Sequence, residues 1–234
     1  MRIDDPAAVA RQYATEKNLE ARRSLYANAE GPDPRELAFV AIAECSPERV
    51  LEVGGGPGEL AARIANDVGC EVVMLDISPR MVELARGLGV DARVGDVERL
   101  PFQDGSFDCA VAAWMLFHVP DIDGALSELA RVLRPGGRLV AVTNAEHHLL
   151  ELRSIAGKAA WARVFTRENG GETIGRYFDH VERRDADGWV TIEDHETVRR
   201  YVASLDADEP GELPAYDLPL RSRRASSVFV ATKV

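Results

Sequence analysis

The chain has 234 residues, with 28 basic against 39 acidic side chains and a formal net charge of −11. Its 46% apolar content is that of a folded domain, and no stretch approaches the roughly 20 apolar residues of a spanning helix. The acidic balance argues against a nucleic-acid phosphate backbone as partner.

The opening Met1-Arg2-Ile3-Asp4-Asp5-Pro6 lacks a basic flank leading into an apolar run, so no secretory signal is expected. Cys45, Cys70 and Cys109 match neither a metal knuckle nor a CxxC pair. Each reads as a small apolar core residue, and the odd, scattered count fits a reducing cytoplasm.

Residues 1–35 read as one or two polar helices anchored by Tyr13, Leu19, Leu25 and Tyr26, broken at Gly31-Pro32-Asp33-Pro34. Val50-Leu51-Glu52-Val53 reads as a first strand. A helix follows from Pro57, with Leu60, Ala61, Ile64, Ala65 and Val68 on one face and Gly69 to end it. Val72 to Asp76 is a second, fully buried strand. Ser78-Pro79 then starts a helix, because Ser accepts from free N–H groups and Pro fits the first helical position. Its inner face is Met81, Leu84 and Ala85. Ala92-Arg93-Val94 and Phe107 to Ala112 are the third and fourth strands. Ile122, Ala125, Leu126, Leu129 and Leu133 mark another amphipathic helix, broken by Arg134-Pro135-Gly136-Gly137. Arg138 to Thr143 is the fifth strand.

Residues 144–176 read as helical and irregular. Phe178 to Arg184 and Trp189 to Ile192 read as two strands about a turn, Asp185-Ala186-Asp187-Gly188. Glu196 to Leu205 reads as a helix, Asp206 to Pro219 as a loop, and Ser227 to Thr232 as a closing strand. Alternation of strand and helix through the middle predicts a Rossmann-like, doubly wound α/β fold with a mostly parallel sheet and helices on both faces. Ligands of such sheets bind beyond the carboxyl ends of the strands. One domain is expected over 1–234: a helical cap (1–35), a cofactor core (49–143) and substrate-side elements (144–234).

The strongest local signal is Glu52-Val53-Gly54-Gly55-Gly56-Pro57-Gly58, between the first strand and its helix. Glycine there permits positive φ and lets a ligand approach the backbone. A dinucleotide fingerprint started at Gly54 would need a third glycine where Glu59 stands, and no Gly-Lys-Ser/Thr makes a P-loop. Asp76 ends the second strand 22 residues after Gly54, where a carboxylate can accept both ribose hydroxyl protons. Asp96 follows the third strand.

Glu-x-Gly-x-Gly-x-Gly after strand one resembles the first motif of class I S-adenosylmethionine (SAM)-dependent methyltransferases. From Val50 to Thr143 the chain is similar to the small-molecule, ubiquinone/menaquinone-methyltransferase-like group, with its motifs in order. The resemblance implies a seven-stranded sheet with a terminal antiparallel strand, SAM as cofactor and S-adenosylhomocysteine (SAH) as product. It implies Glu52, Gly54, Gly55, Gly56, Gly58 and Asp76 at the cofactor. Asp96 would accept from the adenine amine, the Val97 N–H would donate to a ring nitrogen and Ile77 would pack on the adenine face. Ala113 and Trp114 would lie along the methionine portion.

His118, before Val119-Pro120-Asp121, is the candidate general base, since a neutral imidazole takes a proton near pH 7. Tyr13, His118 and His147 are candidate contacts to a small-molecule acceptor. Adjacent His147 and His148 do not readily converge on one ion, so no metal is expected. The small basic cluster Arg221, Arg223 and Arg224 reads as a solvated face or a site for an acidic substrate group. The alternatives are a non-catalytic SAM-binding protein and a nicotinamide-dependent oxidoreductase. The acceptor's identity, the methylated atom and the oligomeric state stay open.

Overall fold

The computed structural model describes residues 17–158, 164–205 and 211–234. Seven strands form one sheet: β1 (Arg49–Val53), β2 (Glu71–Asp76), β3 (Asp91–Val94), β4 (Phe107–Ala113), β5 (Leu133–Asn144), β6 (Asp179–Ile192) and β7 (Leu220–Thr232). Their order is β3-β2-β1-β4-β5-β7-β6, and β7 alone runs antiparallel to its neighbours. This is the Rossmann-like, mostly parallel sheet expected from the alternating pattern. The order reverses direction beside β1, so the carboxyl ends of β1 and β4 flank the crevice where such sheets hold ligands.

The central strands are mostly apolar because both sheet faces are covered. On one face Val50, Val72, Met74, Cys109, Val111, Val140 and Val142 pack under α2 (Pro34–Ala43), α3 (Glu59–Asp67) and α4 (Pro79–Gly87). On the other, Leu51, Val53, Leu75, Ala110 and Ala141 pack under α5 (Ile122–Val132) and α7 (Arg167–Ile174). Ser78 caps α4, its hydroxyl accepting from the Met81 N–H at 3.4 Å, and Pro79 takes the first helical position. Leu84, expected on the inner face, stays half-buried, and Val82 is buried there instead, beside Met81 and Ala85.

The sequence reading left residues 36–48 unassigned, yet α2 seals one face there with Ala38, Ala41 and Ile42. Its start was written in Gly31-Pro32-Asp33-Pro34. Asp33 accepts from the Arg35 N–H at 2.8 Å, and Pro34 begins the helix.

A second correction concerns Asp185-Ala186-Asp187-Gly188. No turn forms; β6 runs straight through, paired with β7 from Asp185↔Ser227 to Ile192↔Leu220. The acidic residues are accommodated because Arg167 donates to Asp187 at 2.5 Å and the Ser227 hydroxyl donates to Asp185 at 2.6 Å. Gly188 serves close approach, since a Cβ there would lie 1.8 Å from the Glu30 carbonyl oxygen. The segment before α2 crosses the ribbon here: Glu30 N–H donates to Trp189 O at 2.8 Å. The closing strand likewise begins at Leu220, well before Ser227.

Asn144 pairs with Ser226, so the stretch Leu220–Ala225 extends past the end of β5 with only Asp187–Ile192 beside it. On this overhanging ribbon pack α6 (Leu150–Ile155) and α8 (His195–Ala203), and α1 (Lys17–Ser24) packs against α8. Leu149, Leu152, Val190, Ile192, Val198 and Tyr201 form their apolar cluster. Among the described residues no helix is long and apolar enough to cross a membrane.

Candidate active site

β1 carries an acid one residue before its end, and β2 ends in one, both on the same sheet face. Glu52 shares its face with Val50, and Asp76 shares its face with Val72 and Met74. Both carboxyl groups are buried. Burial pushes the Glu52 carboxyl up to about 8; a bond from the Ala61 N–H opposes this and the Asp76 charge adds to it. Its Oε2 has no hydrogen-bond partner. Burial also raises Asp76 above the usual carboxylate range, while the Ser78 and Gly56 N–H groups pull it back. Those donors sit at 2.8 Å and 2.9 Å, one on each Asp76 oxygen. Asp76 therefore ties the glycine loop to the start of α4 and leaves each oxygen a second acceptor direction.

The loop must be glycine for two reasons. Gly54, Gly56 and Gly58 have φ of +62°, +58° and +82°, which L side chains rarely adopt. A Cβ on Gly54 would also lie 2.6 Å from the Met115 Cβ, and one on Gly55 would lie 2.6 Å from the Met74 sulfur. Around Gly56 the space is open. The result is a backbone cradle between two acids, with no Lys or Arg from Glu52 to Glu59.

The neighbouring strand ends complete the rim. The Gly95 N–H donates to Asp76 O at 3.1 Å and brings the β3 end beside β2. Asp96 is exposed there and accepts from the Glu98 N–H at 3.0 Å, an Asx turn; Val97 is buried beside it. Ile77, just past Asp76, is 51% exposed, an open apolar surface at the cradle's edge. Ala113 ends β4. Trp114 takes φ +55°, and its indole N–H donates to Asn144 Oδ1 at 3.2 Å. Asn144 accepts on the same oxygen from the Ser226 hydroxyl at 2.7 Å, so the ends of β4 and β5 are tied to the middle of β7 at one atom.

His118 closes a 3-10 turn (Leu116–His118) beyond β4 and is half-buried, its ring 4.5 Å from Phe117. His147 follows β5 and is half-buried, and its Nε2 is buried with no hydrogen-bond partner. The next residue differs: His148 accepts from the Ala225 N–H at 3.0 Å and meets the Tyr26 hydroxyl at 3.0 Å, so it is a strut between the segment after Ser24 and β7. Tyr13 lies outside the described residues. Among the described residues no group of three or more His, Cys, Asp or Glu could hold a metal ion.

The basic cluster divides. Arg221 pairs with Glu30 at 2.9 Å and Arg223 with Asp187 at 3.4 Å, while Arg224 is buried and donates to the Glu30 and Pro32 carbonyls. It is cap architecture. The sequence reading missed Met115, which fills the space over Gly54, and Asn144, which holds Trp114. Only the pairing of β5 with β7 brings Asn144 to Ser226.

Comparison with known proteins agrees with this geometry. Residues 51–141 match the family model described as a methyltransferase domain. A ubiquinone/menaquinone biosynthesis C-methyltransferase of Teredinibacter turnerae is 40% identical over 116 residues, covering 44% of this chain and 47% of that protein. The chain thus aligns with about half the length of the curated relatives it matches. Among solved structures, a SAM-dependent methyltransferase of Thermotoga maritima superposes with a TM-score of 0.57 at 22% identity, covering 94% of this chain and 98% of that one. A Haemonchus contortus phosphoethanolamine N-methyltransferase, solved with SAH, gives 0.65 at 18% identity, over 96% of this chain and 59% of that one. These two likenesses show the fold.

Proposed function

We infer that this chain, whose residues 51–141 are a methyltransferase domain of the class I SAM-dependent kind, moves a methyl group from S-adenosylmethionine to a small-molecule acceptor. One observation carries the reading. A buried carboxylate, Asp76, is bonded to the glycine loop and to the start of α4, with both oxygens still able to accept. That suits a nucleoside's two ribose hydroxyls. The orphaned Glu52 Oε2 and the lack of basic residues along the loop suit a ligand with a cationic end better than a pyrophosphate. Glu59, at the start of α3, opposes a pyrophosphate further, which disfavours a nicotinamide dinucleotide.

When bound, SAM supplies a methyl group already electrophilic on its sulfonium. The chain's part is to bind, orient and exclude water. Asp76 holds the ribose, and Asp96 and the Val97 N–H read the adenine edge, with Ile77 on its face. Gly54, Gly55, Gly56 and Gly58 line the backbone path toward the methionine end, where Ala113 and Trp114 stand. His147, whose Nε2 lacks a partner, contacts the acceptor, and His118 takes the acceptor's proton. Tyr13 is proposed as a further contact to the acceptor. The ubiquinone/menaquinone biosynthesis C-methyltransferases among its relatives make a quinol-like ring the first acceptor to try.

Calorimetric titration with SAM, SAH and NADH tests the cofactor. Binding of both sulfur nucleosides, lost in Asp76→Ala, supports the reading. NADH binding with silence toward both would overturn it. Methyl transfer from labelled SAM to a panel of quinols, phenols and amines then separates an enzyme from a non-catalytic binder.

A further inference from the structure

Among the described residues three arginines are buried, and their partners are unequal. Arg167 pairs with Asp187 at 2.5 Å and also donates to the Ser226 carbonyl at 2.6 Å. Arg224 donates to the Glu30 and Pro32 carbonyls, and its charge helps hold the Asp33 carboxyl low. Arg153, in α6, is 2% exposed and has less. Its Nη2 donates to the Glu146 carbonyl, and its Nε is buried with no hydrogen-bond partner. No carboxylate among the described residues forms an ion pair with it. Glu151 is within electrostatic reach, but the Ser222 hydroxyl at 2.8 Å and the Arg223 N–H at 3.0 Å already hold its carboxylate. A guanidinium taken out of water without a counter-charge is costly, so it calls for a partner that the chain itself does not supply.

The place of this cation in the fold says what that partner is. β5 ends at Asn144, whose Oδ1 holds the indole of Trp114, just past the end of β4. Glu146 follows two residues later, at most about 7 Å of chain. Its N–H donates to Glu168 at 3.1 Å, which anchors the residue whose carbonyl meets Arg153. The next residue is His147, whose Nε2 is also buried without a partner. Two orphaned nitrogens thus belong to one short segment past the carboxyl end of β5, the end at which such sheets hold ligands.

Resting on the methyl-transfer reading above, we propose that Arg153 binds a carboxylate of the acceptor, so that the molecule methylated is an organic acid. A guanidinium presents N–H donors in a planar fork that matches two carboxylate oxygens. One arginine carries one positive charge, and Glu146, Glu151 and Glu168 surround the loop, which favours a monoanion over a phosphate dianion. The ring or chain that bears the carboxylate then extends from Arg153 past His147 toward Trp114.

Calorimetry on the full chain saturated with SAH tests this, with sodium benzoate and its neutral isostere benzamide as probes. Benzoate should bind at least about tenfold tighter than benzamide, the margin of a charge-assisted hydrogen bond. Arg153→Met should remove that margin while the Kd for SAH stays within about twofold. Arg153→Lys, which keeps the charge without the fork, should keep part of it. Unliganded Arg153→Met should melt no lower than the wild type, because an uncompensated buried cation gives way to an apolar chain. Benzoate bound no tighter than benzamide by the wild type, or a margin that survives in Arg153→Met, would overturn the proposal. A fall in melting temperature of more than about 5 °C shared by both variants would make Arg153 a strut of α6 and overturn it too. Silence of the wild type toward SAH is a separate failure, that of the methyl-transfer reading itself.

Discussion

The cofactor end and the overhanging cap are built in opposite ways. The cradle comes from two short segments, Glu52–Gly58 and Asp76–Ser78, joined by the Gly56–Asp76 hydrogen bond, which spans 20 residues. The cap comes from partners far apart in the chain. Tyr26 meets His148, Arg22 meets Ser204, Arg224 reaches back to Glu30, and Ser222 holds Glu151. Local chemistry makes the first region, and tertiary pairing makes the second. Substitutions in the cradle should therefore cost binding, and substitutions in the cap should cost folding.

Asp76→Ala should show the largest effect. It removes a charged acceptor and strands the Gly56 and Ser78 N–H groups, a loss of roughly 4 kcal/mol or about 1,000-fold in SAH affinity by calorimetry. A melting temperature that collapsed in step would mean that Asp76 is structural and would break the contrast. Gly188→Val is the cap's counterpart. The Glu30 carbonyl occupies the place of the new Cβ, so the crossing segment must move, and about 3 kcal/mol of stability should be lost. The melting temperature should fall by roughly 6–12 °C while SAH affinity measured below the transition stays within a few-fold. Equal loss of SAH affinity would show that the cap and cradle are one cooperative unit.

A third test sits inside the cradle. Glu52 has its folded pKa raised to about 8 from the ordinary 4.5, so the folded state holds a proton that the unfolded state has released. Stability from this group is complete below pH 4.5 and is lost as pH rises toward 8, at up to about 1.4 kcal/mol per unit. Unfolding free energies from denaturant titrations at pH 6 and pH 7.5 should differ by about 2 kcal/mol, lower at the higher pH. Glu52→Gln should flatten that slope, and a slope unchanged by the substitution would place the titration elsewhere.

The same division explains what could be read beforehand. Gly54, Gly56 and Gly58 are identifiable because positive φ is a property of one residue, and Ser78-Pro79 because a cap is a property of four. Gly188 carried the same letter for a different reason. Its neighbours Asp185 and Asp187 made a turn signal, and only Arg167, Ser227 and the crossing Glu30, none of them near in sequence, turn that stretch into strand. Asn144 was invisible likewise, since its role exists only once β7 lies beside β5. Asp33-Pro34 was readable as a helix start by the logic that found Ser78-Pro79, and the apolar spacing of Ala38, Ala41 and Ile42 would have completed it.

The smallest expected effect tests what holds the cap. Arg221 and Glu30 form a clear ion pair at 2.9 Å, and Arg221 also lies over the Trp189 ring. Both partners are more than half exposed, so water and salt screen the charges, and ordering two long side chains offsets the gain. Arg221→Gln should therefore change stability by less than about 0.5 kcal/mol, and added salt should change it little. Arg224 differs in burial, because its guanidinium is shut away on the Glu30 and Pro32 carbonyls. Arg224→Gln leaves two buried carbonyls short of a donor and should cost about 2 kcal/mol. If the two substitutions cost the same, the cap is held by its rim charges; if they differ as argued, it is held by the backbone crossing at Gly188 and the buried donor beneath it.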